Sequence, residues 1–237
     1  MIFANGIITA QTPSGDEILK KVDQNIRARN RVLVSNMIIH GRRGTRTVKA
    51  KSWIRGTEKS FTEYLAPARE KGTKMLKLGD QLWTYSPSTD RIIKISGHLL
   101  RQSVMGSDLS YEDLMEDQQL HEVYAAAVIG EDDFNNRPCW ILELRAKHGG
   151  VAYYLRKILV DKEYYVPMKE ERYAKSGKLL KTTEVKELMQ SENRWLAKHA
   201  VFKDMLKKGR GTEFVLESVQ FDMDLPAHLF TKAVLRK

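Results

Sequence analysis

Residues 72–114 read GTKMLKLGDQLWTYSPSTDRIIKISGHLLRQSVMGSDLSYEDL, and this stretch decides the fold. It contains three short apolar runs, separated by turn sequences of the kind found in hairpins: 75–78, 81–85 and 91–95. A Met-Gly-Ser-Asp turn follows at 105–108, and Ser110 to Asp113 then has the pattern of a capping box. The stretch therefore predicts a β-meander that leads directly into a helix, which covers the sheet as a lid.

Two groups of polar residues in and next to this stretch, one on the strands and one at the helix start, are interpreted differently. Lys77, Thr84 and Lys94 interrupt the apolar runs, which predicts that one sheet face meets water. Neighbouring carboxylates on a helix point in different directions, which argues against an acid/base pair. Four carboxylates lie at this helix start, two within the stretch and two just after it, and we interpret them as charges that favour the start of a helix: Glu112, Asp113, Glu116 and Asp117.

The remainder of the chain continues in the same style. Ser14 and Glu17 form a second capping box ahead of an apolar stripe, which predicts an amphipathic helix over residues 15–28. A hairpin is predicted over 32–55 with its turn at 41–44, and strand-like runs then reach residue 222, with none assigned between 189 and 212. No change in composition marks a domain boundary. We expect one α+β domain whose antiparallel sheet of about ten or eleven strands curls into a closed or half-open barrel.

Composition restricts the function. The 237 residues carry a net charge of +10, which would suit nucleic acid or an anionic membrane surface. However, 30 acidic residues are mixed among 40 basic ones, so we interpret the charge as a solvated basic surface and expect no nucleic-acid partner. The single cysteine, Cys139, excludes an internal disulfide and is expected to be a buried structural thiol.

The sequence lacks the usual motifs of catalysis. Its six histidines are scattered, with no His-Glu-x-x-His pattern. It has neither a Gly-x-x-x-x-Gly-Lys phosphate loop nor a Gly-x-Ser-x-Gly nucleophile turn. We therefore expect a protein that is not an enzyme and that uses no metal and no cofactor.

Aromatic and methionine side chains are the candidate ligand-binding residues. Large rings and flexible thioethers suit a pocket for irregular apolar ligands, although each could equally fill a core. We predict that these side chains line an apolar cavity and its lid: Trp53, Tyr64, Met75, Trp83, Tyr85, Met105, Leu109, Tyr111, Leu114 and Trp140.

Four segments resemble the outer-membrane lipoprotein-sorting protein family, the LolA-like periplasmic carriers of the longer type: 82–87, 91–96, 105–114 and 224–231. The resemblance implies a half-open antiparallel β-barrel, closed by an N-terminal helix and a helical lid, around a cavity for acyl chains. It also implies a gating arginine, for which Arg42, Arg43 and Arg46 are candidates.

The resemblance further implies a periplasmic location. We therefore interpret residues 1–10 as the remnant of a signal peptide and residues 11–237 as a single LolA-like domain. The basic start of a signal peptide is missing, so an ordinary cytoplasmic amino terminus remains the alternative.

The favoured hypothesis is a monomeric periplasmic carrier that shields the acyl chains of lipoproteins or lipids and sorts them to the outer membrane. Its expected partners are the acylated cargo, an inner-membrane transporter and an outer-membrane acceptor. A lipid-sensing or adaptor protein that works with a membrane exporter or signalling partner remains the alternative.

Overall fold

The computed structural model describes residues 12–41, 44–116 and 118–236. These form one antiparallel sheet with few helices. The helices are α1 Gly15–Ile26, α2 Tyr111–Met115 and α3 Leu120–Val123, with 3-10 turns at Gly97–Arg101, Val104–Gly106, Ala227–Phe230 and Lys232–Arg236. The strands are β1 Asn30–Gly41, β2 Gly44–Arg55, β3 Lys59–Ala66, β4 Lys74–Leu78, β5 Gln81–Ser86, β6 Arg91–Ile95, β7 Tyr124–Phe134, β8 Arg137–Ala146, β9 Leu155–Asp161, β10 Pro167–Tyr173, β11 Leu179–Ser191, β12 Arg194–Asp204 and β13 Thr212–Phe221.

The strand order explains why one connection of the chain must cross a face of the sheet. It runs β6-β5-β4-β3-β2-β1-β13-β12-β11-β10-β9-β8-β7, so β1 and β13 join the two halves of the chain. The two ends of the sheet are β6 and β7, which are consecutive in sequence but lie at opposite edges. The connection between them packs against one face of the sheet, together with α1. We call this face the inner face and residues 96–116 the lid.

Helix α1 confirms the predicted capping box. The Ser14 hydroxyl accepts the Glu17 N–H, and the Glu17 carboxylate accepts the Ser14 N–H at 2.8 Å. The helix ends at Ile26 rather than at residue 28, because Arg27 adopts an extended conformation. Its buried Ile18, Leu19 and Val22 pack on the inner face of the sheet around β7 to β9.

The predicted hairpin of β1 and β2 is also confirmed. Its register pairs Gly41 with Gly44, while the turn residues Arg42 and Arg43 lie outside the described residues. Residues 1–10, interpreted above as a signal-peptide remnant, likewise lie outside them.

The expected strand count of about ten or eleven is wrong, because the described residues form 13 strands. The predicted runs omitted β12, whose Lys198 and His199 obscure its apolar pattern. Cross-strand partners offset these polar groups. Lys198 pairs with Glu187 of β11, and His199 with Glu213 of β13, each at 2.8 Å.

The end of the chain covers the outer face of one half of the sheet, at β2 to β6. Cross-strand register places Trp53, Phe61, Leu76 and Trp83 in one row across β2 to β5. Residues 227–236 pack on this row, and Leu235 is completely buried. This half of the sheet therefore has an apolar layer on each face.

Three further observations concern the described residues. Cys139 is buried, as predicted, and burial raises the pKa of its thiol to about 11. None of the helices in this part of the chain is long and apolar enough to cross a membrane. Among the described residues, no group of three or more His, Cys, Asp or Glu side chains is placed to hold a metal ion.

Candidate functional site

The lid turns sharply at the Met-Gly-Ser-Asp segment. Met105 and Gly106 both adopt left-handed backbone conformations, with φ of 51° and 73°. This turn directs the Met105 carbonyl oxygen to the guanidinium of Arg46, which donates a hydrogen bond to it. Arg46 also forms an ion pair with Glu70 at 3.5 Å. Among the three candidate gating arginines, Arg46 therefore contacts the lid, whereas Arg42 and Arg43 lie outside the described residues.

Asp108 fastens the lid to the middle of the sheet. Its backbone N–H donates to the Thr212 hydroxyl at 2.9 Å, and that hydroxyl donates to Asp108 Oδ2 at 2.8 Å. Asp108 Oδ1 accepts the backbone N–H of Asp204 at 2.9 Å. Thr212 is completely buried, so these bonds satisfy polar groups that water cannot reach.

An apolar cluster fills the space between the lid and the inner face. Tyr64 and Met75 from the sheet lie in the same cluster as Leu109 of the lid, and Met105 and Tyr111 pack against it. Five of the predicted ligand-binding residues are thus brought together. The other buried members are Met37, Ile39, Val48, Ala50, Leu82, Ile95 and Val104.

The remaining five candidates lie elsewhere. Trp53, Trp83 and Tyr85 belong to the outer-face layer that packs with Leu235, because successive residues of a strand point to opposite faces. Trp140 packs in the cluster beneath α1, and Leu114 is 37% exposed on the lid. The ten residues therefore do not line one common cavity.

The lid and the inner face are in direct contact. Two open pockets of about 230 Å³ lie away from this contact and are lined largely by polar side chains. One lies beside α1 and includes Lys20 and His121, and the other includes Arg29 and Asp224. The described residues thus show a closed lid, with side chains packed where the resemblance implies a cavity.

The second part of the site is a row of three cations, which we call the cation row. Arg156 of β9 is the register partner of Arg172 of β10, and Arg172 is the partner of Lys181 of β11. All three side chains point to the inner face, since Ile158, two residues from Arg156, packs in the cluster beneath α1. Their side chains are 4%, 12% and 14% exposed, respectively.

The lid supplies two carboxylates to the cation row. Asp113 forms ion pairs with Lys181 and, at 3.2 Å, with Arg172. Glu116 forms an ion pair with Arg156 and lies 4.0 Å from Arg172. A third carboxylate, Glu170, belongs to the sheet and bonds Arg156 and Arg172 at 2.9 and 2.8 Å.

These contacts change the acidities of the three carboxyl groups. Burial alone would raise the pKa of Asp113, but Lys181 and the Tyr153 hydroxyl outweigh it and lower the pKa. Burial likewise opposes ionisation of Glu170, yet Arg172 and Arg156 lower its pKa to about 2. At Glu116 burial prevails over the two arginines, so its pKa is raised.

Two tyrosines pack beside the cation row. The Tyr153 hydroxyl donates to Asp113 at 2.6 Å, and the Tyr124 hydroxyl donates to the Tyr153 carbonyl at 2.8 Å. The Arg156 guanidinium lies 4.8 Å from the ring centre of Tyr124, and that of Arg172 lies 5.4 Å from Tyr153. Aromatic faces favour cations at such distances.

The structure corrects the interpretation of two sets of polar residues. Lys77 does not face water: it is 4% exposed and donates to the Met115 carbonyl at the end of α2 at 3.0 Å. Asp113 does form the predicted capping box with Ser110, but it is also a buried ion-pair partner. Asp117 lies outside the described residues.

The cation row was missed by sequence analysis. The signal that could have found it is alternation. Arg156 shares one face of β9 with Ile158 and Val160, and Glu170 and Arg172 stand two apart on β10. Within one strand this spacing of charged residues looks like an ordinary solvent-facing polar side. Only the register of β9, β10 and β11 shows that the three cations are aligned.

Fold and site together define an open antiparallel sheet with few helices, consistent with a LolA-like half-barrel, and in this chain a lid closes the inner face of that sheet. Residues 56–237, more than half of the chain, match a family model described as an uncharacterized protein family, which is DUF1329-like. The chain belongs to this family. Comparison with curated proteins gives no match.

Solved structures share the fold over nearly the whole chain. A domain from Vibrio parahaemolyticus assigned to the outer membrane lipoprotein-sorting proteins is 25% identical, with a TM-score of 0.81; the match covers 94% of this chain and 98% of that one. A DUF1329 family protein from Desulfovibrio piger is 22% identical, with a TM-score of 0.84 and coverages of 93% and 97%. The LolA superfamily protein NE2245 from Nitrosomonas europaea is 23% identical, with a TM-score of 0.76 and coverages of 94% and 100%.

Proposed function

We propose that this protein is a periplasmic carrier that holds acyl chains of lipoproteins or lipids between its lid and its inner face. The observation that carries the proposal is the apolar contact between these two surfaces, which a moving lid would offer to a ligand. The likeness to a lipoprotein-sorting domain supports the same role.

The energetics of acyl chains explain why such a carrier is needed. Burial of one methylene group is worth about 0.8 kcal/mol, so a chain of ~15 carbons opposes transfer into water by on the order of 12 kcal/mol. A lipid therefore crosses an aqueous compartment only when it is shielded. In the closed state, Leu109 and Tyr111 take the place of acyl chains on the inner face.

Delivery requires no catalysis by the carrier. A downhill series of affinities, from an inner-membrane transporter to the carrier and then to an outer-membrane acceptor, suffices to drive it. We infer that the protein acts as a monomer in the periplasm.

Contacts made by the lid backbone suit a reversible closure. Arg46 and Lys77 bind carbonyl oxygens at the two ends of the segment from Met105 to Met115. Such hydrogen bonds contribute about 1.5–3 kcal/mol each when one partner is charged. For the lid to open, ligand binding must offset these two bonds together with the bonds of Asp108, the ion pairs of Asp113 and Glu116 and the apolar contact.

Mass spectrometry of lipids extracted from the purified protein tests the proposal. We expect acyl lipids to co-purify with the wild type, and we expect Met105→Glu and Leu109→Glu to abolish loading, because a buried charge opposes an apolar ligand. Leu206→Glu is the matched control, since Leu206 is 61% exposed and should load normally. Circular dichroism establishes that the variants retain the sheet.

Equal loading of wild type and Leu109→Glu would overturn the proposal, as would a wild type that never carries lipid. A lipid-loaded protein that delivers nothing to acceptor vesicles, but retains a membrane exporter or signalling protein, would favour the sensor or adaptor.

A further inference from the structure

We propose that the cation row, formed by Arg156, Arg172 and Lys181, binds the anionic head group of the carried amphiphile and that the lid carboxylates occupy this site when it is empty. This inference rests on the proposed carrier function and adds to it the chemical class of the ligand. The group recognised is a phosphate or a carboxylate attached to an acyl chain.

The first argument is that the row opposes folding. Like charges placed directly opposite on adjacent strands are destabilising, yet Arg156, Arg172 and Lys181 occupy paired positions on three neighbouring strands. Burial adds a desolvation cost, and apolar replacements of buried ion pairs are often neutral or stabilising. An arrangement that does not improve stability points to recognition.

The second argument is the origin of the compensating charge. Three carboxylates balance the three cations in the closed state: Glu170 from the sheet, Asp113 from α2 and Glu116 from the residue that follows α2. When the lid moves away, Glu170 alone remains with the row. Two positive charges are then uncompensated, which matches a phosphate ester or a pair of carboxylates.

The third argument is the position of α2. Tyr111 and Met115, one helical turn apart, pack toward the apolar cluster, whereas Asp113 and Glu116 contact the cations. This short helix therefore covers the border between an apolar surface and a cationic one. Its displacement uncovers both surfaces together, as a molecule with an acyl chain and an anionic head requires.

The fourth argument is unused hydrogen-bonding capacity. Arg156 is 3% exposed, and its Nε atom is buried without a hydrogen-bond partner among the described residues. The Nε atom of Arg172 is in the same condition. Buried donors are normally satisfied, so an anion with several oxygens could satisfy both where the lid carboxylates do not.

The experiment compares three probes on the intact protein. Phosphatidylglycerol and diacylglycerol with identical fluorescent acyl chains differ in the anion, and sn-glycerol 3-phosphate presents the anionic group without a chain. We expect phosphatidylglycerol to bind at least ~10-fold more tightly than diacylglycerol, given the strength of charge-assisted hydrogen bonds. Glycerol 3-phosphate should bind far more weakly than either lipid.

Variants on the two sides of the ion pairs should have opposite effects. Arg172→Gln and Lys181→Gln should reduce phosphatidylglycerol affinity about 10-fold, to the diacylglycerol level. The double variant Asp113→Asn and Glu116→Gln should increase it, because it removes the competing carboxylates. Lys169→Gln is the matched control: it lies on β10, its side chain is 33% exposed, and its binding should be unchanged.

Thermal unfolding followed by circular dichroism identifies any variant that fails to fold, and the remaining single variants then decide the result. The head-group site would be overturned if the protein bound the two lipids equally, or if the cation variants and the carboxylate double variant all bound phosphatidylglycerol more weakly. Either result would leave the carrier function intact. Tight binding of glycerol 3-phosphate would overturn it in favour of a free anion. Failure of both lipids to bind would overturn the carrier function and this inference together.

Discussion

At the residue scale, Asp113 combines a local and a long-range role. Its carboxylate accepts the Ser110 N–H at 2.7 Å at the start of α2, and it pairs with Lys181 and Arg172 on two strands of the sheet. The same residue thus begins the helix and holds it to the sheet. Its side chain is 3% exposed, so neither set of contacts is screened by water.

Glu170 is expected to make stability depend on pH. Its folded pKa of about 2 lies below its usual value of 4.5, so folding favours the carboxylate. This contribution to the free energy of unfolding is complete above pH 4.5 and is lost as the pH falls toward 2. Glu170→Gln should cost about 3 kcal/mol at neutral pH, because it leaves two buried arginines under-compensated.

Urea unfolding over this pH range measures the effect. The variant should lose less stability than the wild type between pH 4.5 and pH 2, since one titrating carboxylate is absent. Glu58→Gln, at an exposed turn position, is the control. Parallel pH profiles for wild type and Glu170→Gln would contradict the assignment.

At the element scale, α1 approaches β7 unusually closely. Asp16 accepts the backbone N–H of Ala126 at 2.9 Å, and Gly15 lies against the same strand. A Cβ atom added to Gly15 would lie 2.5 Å from the carbonyl oxygen of Ala126, which belongs to the backbone and cannot rotate away. The glycine is therefore required by space.

Gly15→Ala should consequently destabilise the protein. In an ordinary helix this change stabilises by up to about 1 kcal/mol, but here we expect a loss of about 1–3 kcal/mol, because the helix must move off the sheet. Chemical denaturation measures the difference. Gly149→Ala, where an added Cβ meets open space, should change stability by less than about 0.5 kcal/mol. A stabilised Gly15→Ala variant would show that the helix is free to shift.

At the scale of the whole molecule, the two faces of the sheet are closed in different ways. The carboxy-terminal segment covers the outer face through apolar contacts of Val234 and Leu235. The lid covers the inner face through apolar contacts combined with ion pairs and hydrogen bonds. The proposed carrier function requires the inner cover to move, whereas it makes no such demand on the outer cover.

Leu235→Ala tests the contribution of the outer cover to stability. Leu235 is completely buried, so its truncation should lower the free energy of unfolding by about 2–5 kcal/mol. Leu206→Ala, at a position 61% exposed, should have an effect below about 0.5 kcal/mol. Lipid loading per folded molecule should be unchanged in both variants. Reduced loading by folded Leu235→Ala would instead make the outer face part of the binding site.

Much of the local structure was predictable. The capped start of α1, the β1–β2 hairpin and the capped start of α2 follow from contacts between near neighbours, such as Ser14 with Glu17. The resemblance to LolA-like proteins also anticipated the open, lidded sheet. Strand β12 was missed because its charges are compensated by residues of other strands, Glu187 and Glu213.

The sequence by itself determined where the chain turns, which segments extend and where the lid helix begins, because these depend on residues a few positions apart. Only the tertiary structure decided which side chains share a face. Trp83 and Met75 are both apolar and close in sequence, yet Trp83 lies on the outer face and Met75 lies beneath the lid. Strand order likewise places β6 and β7 at opposite edges and aligns Arg156, Arg172 and Lys181, since pairing across strands joins residues far apart in the chain.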